Sequence, residues 1–132
     1  MSDKEFILAE WLRLAQGDLR AAKLLHQGGE LLLSAFHLQQ CSEKLLKMKF
    51  IEFTEDQPPY IHNLSELANR AGLLDSIDEN TKDLLDELTP FYIKCRYPVY
   101  KKTLSNQLSE HKFATLISRT EDLFICLEQI KK

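Results

Sequence analysis

The stretch Glu30–Phe53, ELLLSAFHLQQCSEKLLKMKFIEF, decides the fold of this 132-residue chain. Read as an α-helix, its apolar residues cover most of the circumference, and a helix that is apolar nearly all round is a buried, central one. We therefore expect the other helices to pack around this segment. Its apolar residues are Leu31, Leu32, Leu33, Ala35, Phe36, Leu38, Cys41, Leu45, Leu46, Met48 and Ile51.

One polar stripe interrupts this apolar helix. Gln40, Glu43 and Lys47 recur at spacings of three and four, with Phe36 on the same side. One interpretation is an exposed face that carries a Glu-to-Lys pair four residues apart, worth about 0.3 kcal/mol. The alternative is a polar site that lines a groove or a subunit contact. The sequence leaves both open.

The two ends of the chain predict amphipathic helices. Ser2 and Glu5 have the Ser-x-x-Glu form of a capping box, and the apolar residues that follow recur at spacings of three and four. Gly28-Gly29 is expected to end this first helix. Near the other end, an apolar stripe predicts a last helix from about Glu110 to Gln129.

The middle of the chain predicts a loop and a short helix. Thr54 to Ile61 contains Pro58-Pro59 and is the clearest loop. Asn63 is expected to cap a short helix that runs to about Leu74.

Another helix follows, and two prolines shape its end. Ser76 repeats the capping pattern, Pro90 is expected to kink the helix, and Tyr97-Pro98 is expected to end it. The polar segment Lys101 to Ser109 is predicted to be irregular. Four substantial helices and one short one predict an all-α fold, an up-and-down four-helix bundle with an additional short helix.

Composition limits the classes of function. A chain of this length predicts one domain, residues 1–132, and its net charge of −3 at pH 7 means that any contact with nucleic acid requires a local basic patch. Cys41, Cys95 and Cys126 lie far apart and predict neither a disulfide framework nor a zinc site. Because no signal-peptide pattern and no bilayer-spanning apolar run occurs, we expect a cytoplasmic protein. No cofactor and no metal are expected either.

The segment YIKCRYPVYKK, residues 92–102, is the first candidate site. Arg96 stands where the helix is expected to break, beside Tyr97, Tyr100, Lys101 and Lys102. A guanidinium can hold a phosphate while neighbouring aromatic rings stack on a base. Basic residues at a helix C-terminus also complement the helix dipole, which explains part of the cluster but not its tyrosines.

His62 is the second candidate. It follows the Pro58-Pro59 loop at a loop-to-helix junction, where a side chain can be held in place and remain accessible. The alternative is an imidazole that only assists the start of the helix. His26 is interpreted as a helix C-terminal residue and His37 as a packing or partly exposed residue. His111 is expected in the first turn of the last helix, without a site role. No Gly-rich phosphate loop, Gly-x-Ser-x-Gly elbow or His-Glu-x-x-His pair occurs in the sequence.

Several residues along the chain form a pattern through their order and spacing. They are Trp11, Asp18-Leu19, Ala22, Ala35-Phe36, Gln39-Gln40, Glu43-Lys44, Lys47, His62, Leu64, Tyr92 and Arg96-Tyr97-Pro98. This pattern resembles the HEPN domain family (higher eukaryotes and prokaryotes nucleotide-binding), of the Arg-Tyr-Pro type. The resemblance covers about Phe6 to Leu127 and implies a bundle of helices, commonly a homodimer. It also implies pairing with a minimal nucleotidyltransferase, often as toxin and antitoxin.

The chain departs from the family's ribonuclease motif, in which a histidine follows an arginine by a few residues. No histidine follows Arg96 until His111. Arg20 and His26 match the spacing formally, but they lie within the first helix with their side chains about 240° apart. The resemblance therefore implies phosphate binding by Arg96 without the usual catalytic histidine.

Three functions remain as expectations. The first is a nucleotide- or RNA-binding partner of a minimal nucleotidyltransferase, with Arg96, Tyr97, Tyr100, Lys101 and Lys102 at the site. In that reading the supporting residues are Gln40, Glu43, Lys47 and His62. The second is a metal-independent ribonuclease toxin, which the missing histidine disfavours. The third is a dimeric scaffold without catalytic activity.

Overall fold

A computed structural model describes residues 1–94 and 109–131 of the chain. Its helices are α1 (Asp3–Gln27), α2 (Leu31–Thr54), α3 (Leu64–Arg70), α4 (Glu79–Leu88), α5 (Phe91–Lys94) and α6 (Glu110–Gln129), with a 3₁₀ turn at Leu74–Ser76. No strand occurs within these residues. The predicted fold class, an all-α helical bundle, is confirmed.

Helix α2 is the centre of the bundle, as its apolar circumference predicts. It packs against α1, α3, α4, α5 and α6. Ala35, Leu38, Cys41, Leu45 and Leu46 are all at most 1% exposed and join the core with residues of the surrounding helices. Because α2 is enclosed on nearly every side, a polar residue on it reaches solvent only where a neighbouring helix is missing.

Side-chain caps fix the beginnings of four helices. The Ser2 hydroxyl accepts a hydrogen bond from the Glu5 backbone N–H, and the Asn63 side chain accepts one from Glu66 in the same way. Asp78 caps α4 and Ser109 caps α6. The prediction that Ser76 caps α4 is wrong by two residues, because Ser76 belongs to the 3₁₀ turn and the chain is extended at Ile77, just before Asp78.

Two predicted helix boundaries also differ. Helix α3 ends at Arg70 rather than near Leu74, because Gly72 adopts a left-handed φ of 76°. Pro90 does not kink a continuous helix but separates α4 from α5. The Thr89 hydroxyl holds this junction, since it accepts a hydrogen bond from the Leu64 N–H and donates one to the Leu85 carbonyl.

Two sequence predictions lie outside the described residues: the helix end at Tyr97-Pro98, and the irregular segment from Lys101 as far as residue 108. No helix within the described residues is both long enough and apolar enough to cross a membrane.

Candidate functional site

Two residues of the polar stripe of α2, Glu43 and Lys47, are buried rather than exposed, and the third, Gln40, is half-buried. Glu43 is 6% exposed and Lys47 is 7% exposed, and the Lys47 ammonium lies 2.9 Å from one carboxylate oxygen of Glu43. The interpretation of this stripe as an exposed face is therefore wrong. Buried charges are rare unless they are paired, and here the partner is one helical turn away.

Glu43 is the centre of a hydrogen-bond network. Its Oε2 accepts from Lys47 Nζ at 2.9 Å, while its Oε1 accepts from His62 Nδ1 at 2.9 Å and from Gln39 Nε2 at 3.2 Å. The Gln39 amide also donates to the His62 backbone carbonyl at 3.0 Å. Gln40 joins the network by donating to Gln39 Oε1 at 2.8 Å. These contacts attach the loop before α3 to the middle of α2.

The network keeps Glu43 ionised. Burial raises the pKa of this carboxyl, but hydrogen bonds from Lys47, His62 and Gln39, together with the Lys47 charge, outweigh burial and leave the pKa below its ordinary value. The cluster therefore holds a carboxylate against an ammonium and an imidazole inside the bundle.

His62 carries the cluster to the surface. Its side chain is 28% exposed, and its ring stacks on Tyr92 of α5 with centroids 3.7 Å apart and planes 17° apart. Tyr60 approaches the same ring edge-on, with centroids 5.7 Å apart. With Nδ1 donating to Glu43, the neutral imidazole presents Nε2 as an acceptor. Glu43 and Tyr92 together fix both the position and the orientation of the ring.

The structure brings the four supporting residues of the predicted site together. Gln40, Glu43, Lys47 and His62 belong to one network, although they come from α2 and from the loop before α3. The other predicted site residues lie outside the described part of the chain: Arg96, Tyr97, Tyr100, Lys101 and Lys102. The role of all nine in binding remains a prediction.

Sequence reasoning did not assign two residues of the cluster. Gln39 lies four residues before Glu43 on α2, and this spacing was the signal for it. Tyr60 lies between Pro59 and His62 in the loop, 92% exposed, and its position two residues from a candidate histidine was the signal.

A second polar cluster joins α1 to α2. The two Asp18 carboxylate oxygens accept from His37 Nδ1, at 2.9 Å, and from Lys44. His37 also packs edge-on against Phe36, which agrees with its interpretation as a packing residue. Asp18 is only 12% exposed at its side chain. This cluster fixes the α1–α2 pair rather than opening a site.

Within residues 1–94 and 109–131, no group of three or more His, Cys, Asp or Glu side chains is arranged to hold a metal ion. Cys41 is buried and Cys126 half-buried, and both are free thiols. Burial raises the pKa of the Cys41 thiol well above its ordinary range, so this thiol is unreactive.

Comparisons with known proteins agree with this architecture. The crystal structure of TT1696 from Thermus thermophilus superposes with a TM-score of 0.77, covering 92% of this chain and 96% of that chain at 19% sequence identity. That likeness shows the fold. No curated protein matches the chain significantly. The profile of the HEPN domain matches residues 8–130, nearly the whole sequence. The chain belongs to the HEPN domain family.

Proposed function

We propose that the chain binds a nucleotide or a short segment of RNA at the Glu43 cluster together with the basic and aromatic residues that follow α5. Membership of the HEPN family supports a role related to nucleotides or RNA in general. The finer proposal assigns phosphate contacts to Arg96, Lys101 and Lys102, and aromatic contacts to Tyr97 and Tyr100. Gln40, Glu43, Lys47 and His62 support them.

The buried Glu43–Lys47–His62 cluster is the observation that carries the proposal. Burying an ion pair costs desolvation that its attraction barely repays, so a well-packed apolar pair would serve stability as well. Here the pair instead orients an accessible imidazole. Perturbed and paired charges that lead to an accessible side chain are typical of functional sites.

Tyr92 links the cluster to the basic segment. It stacks on His62, and Arg96 follows it by four residues. Four residues of chain span no more than about 14 Å in any conformation. This short separation along the chain supports the proposal that Arg96 contacts a ligand that also contacts His62. A site of this kind supplies the local positive charge that a protein of net charge −3 needs to bind a phosphate.

The partner belongs to the same proposal. We propose that the chain pairs with a minimal nucleotidyltransferase in a toxin–antitoxin-like system, as a homodimer in the cytoplasm. Exposed apolar residues on α1, among them Phe6, Ile7 and Leu14, offer a surface for self-association. Co-purification of the two proteins tests the pairing, and the mass of the isolated chain in solution tests the dimer.

Titration of the purified chain with ATP and with a short single-stranded RNA tests the binding site. We expect Arg96→Ala to weaken binding by at least tenfold, because a charge-assisted contact to phosphate is lost. His62→Ala should weaken it as well. The matched control is Arg20→Ala, which removes an exposed arginine on α1 and should leave binding unchanged. Equal affinities for the wild type and Arg96→Ala would remove the proposed site.

A metal-independent ribonuclease is the second candidate, and one observation favours it. His62 has its Nδ1 on a buried carboxylate, which leaves Nε2 able to accept a proton, as a general base must. Incubation of the protein with labelled RNA in the presence of a chelator tests this candidate. If His62→Ala abolishes the cleavage, the ribonuclease function is supported. If the cleavage survives in both His62→Ala and Arg96→Ala, neither residue causes it and a contaminant is the source.

A further inference from the structure

Tyr60 is an aromatic residue that the fold holds in place and leaves in solvent. It is 92% exposed, whereas the neighbouring rings of His62 and Tyr92 are half-buried. A single exposed aromatic residue is ordinary on a protein surface. What distinguishes Tyr60 is how firmly its backbone is fixed and what surrounds its ring.

The backbone on both sides of Tyr60 is constrained. Pro58 and Pro59 precede it and restrict the chain through their fixed φ angles. The Ile61 N–H donates to the Pro59 carbonyl at 2.9 Å, which closes a three-residue turn with Tyr60 at its centre. Ile61 packs against the core, and the next carbonyl, that of His62, accepts from Gln39. The ring of Tyr60 therefore stands at the apex of a fixed turn.

The surroundings of the ring suit a stacked ligand. The Lys47 ammonium lies 5.7 Å from the Tyr60 ring centroid, and the His62 ring meets it edge-on at 5.7 Å. His62 is already stacked on Tyr92, so the outermost ring of this series is the accessible one. An aromatic side chain on a fixed backbone has few rotatable bonds to order, so it binds a flat partner at a low cost in conformational entropy.

We propose that Tyr60 is the platform on which the base of a bound nucleotide stacks. This inference rests on the proposed function, because it presumes a nucleotide at the Glu43 cluster. In this arrangement the base lies on the Tyr60 ring, beside the Lys47 ammonium and the His62 ring. The ligand class is then a nucleotide or single-stranded nucleic acid with at least one unpaired base, since a stacked base must expose its face.

Paired titrations with ATP and with inorganic tripolyphosphate test the proposal, since tripolyphosphate has the phosphates and lacks the base. We expect Tyr60→Ala to weaken ATP binding about tenfold, the size typical of losing one stacked base. It should leave tripolyphosphate binding unchanged. Tyr60→Phe keeps the ring and should bind ATP within about twofold of the wild type. Ile125→Ala, which removes an exposed apolar side chain from α6, is the control and should change neither affinity.

Four other results would each contradict the proposal that Tyr60 is a stacking platform. Unchanged ATP affinity in Tyr60→Ala excludes it, and the proposed function still stands if Arg96→Ala loses binding. Equal weakening for ATP and tripolyphosphate shows that Tyr60 acts on the phosphates or on the fold. A change in oligomeric mass with unchanged ATP affinity assigns Tyr60 to a protein interface. A wild-type chain that binds neither ATP nor RNA rejects the proposed function and the platform together.

Discussion

At the scale of single residues, the buried pair of Glu43 and Lys47 predicts that one substitution strongly lowers stability and that a second one restores it. Their side chains are 7% and 9% exposed. Glu43→Leu leaves the ammonium buried without its partner, and we expect the free energy of unfolding to fall by about 3 kcal/mol. Adding Lys47→Met should restore most of this loss, because an apolar pair then replaces the charges. Urea unfolding measures both variants, and equal losses in the single and double variants would show that lost packing is the cause.

Glu43 also predicts how stability responds to acid. Burial raises its pKa, but the hydrogen bonds from Lys47 and His62 outweigh burial, and the pKa lies below the ordinary 4.5. Since the folded-state pKa is the lower one, the carboxylate stabilises the fold above pH 4.5, and this contribution is lost as the pH falls through the lowered pKa.

Free energies of unfolding for the wild type and Glu43→Gln, compared between about pH 7 and about pH 3, test this behaviour. The two should differ near neutral pH and converge in acid. A gap that stays constant over the whole range would mean that the charge of Glu43 does not stabilise the fold.

The burial of Glu43 shows where sequence reasoning stops. The spacing of Glu43 and Lys47 is the same whether the pair is exposed or buried, so the α2 pattern alone cannot decide. What decides is a loop that returns over α2 and places His62, 19 residues away in sequence, on the Glu43 carboxylate. No local pattern encodes that contact, although the sequence marked His62 as a residue held at a junction.

At the scale of helices, the sequence predicted those with strong boundary signals. The bounds of α1, α2 and α6 agree with prediction to within a residue, because glycines, caps and long apolar stripes mark them. The ends of the short helices differ from prediction for two reasons. Helix α3 ends early because Gly72 is left-handed, and at Pro90 the Thr89 hydroxyl ties the end of α4 to the first N–H of α3, a contact between segments that no local pattern encodes.

Two glycines at helix ends predict opposite results for the same substitution. Gly72 has a φ of 76° after α3, and Gly28 has a φ of −82° after α1. A Cβ at Gly72 meets no atom within 4 Å, so Gly72→Ala is strained by its backbone alone and should cost about 1 kcal/mol. Gly28→Ala needs no left-handed conformation and should be neutral or slightly stabilising. Thermal unfolding of both variants tests this, and an equally stable Gly72→Ala would exclude backbone strain as the reason that α3 ends there.

At the scale of the whole molecule, the bundle and the site depend on the sequence in different ways. The bundle follows from apolar periodicity, which is repeated along every long helix and survives many substitutions. The site depends on a few side chains from α2, the following loop and α5, which only the folded chain brings together. This explains why TT1696 has the same fold at 19% sequence identity. So low a sequence identity gives no information about the ligand.

The net charge of −3 predicts the salt dependence of RNA binding. Since the whole protein does not attract a polyanion, the salt-dependent part of binding should come from the phosphate contacts of Arg96, Lys101 and Lys102. The logarithm of the affinity should fall with the logarithm of the salt concentration by about 0.7 per neutralised phosphate, a slope of roughly −2 for three contacts. Lys101→Ala should make the slope shallower by about 0.7, whereas Arg20→Ala should leave it unchanged. Titrations of a short single-stranded RNA at several salt concentrations measure it. A slope that Lys101→Ala does not alter would remove Lys101 from the interface.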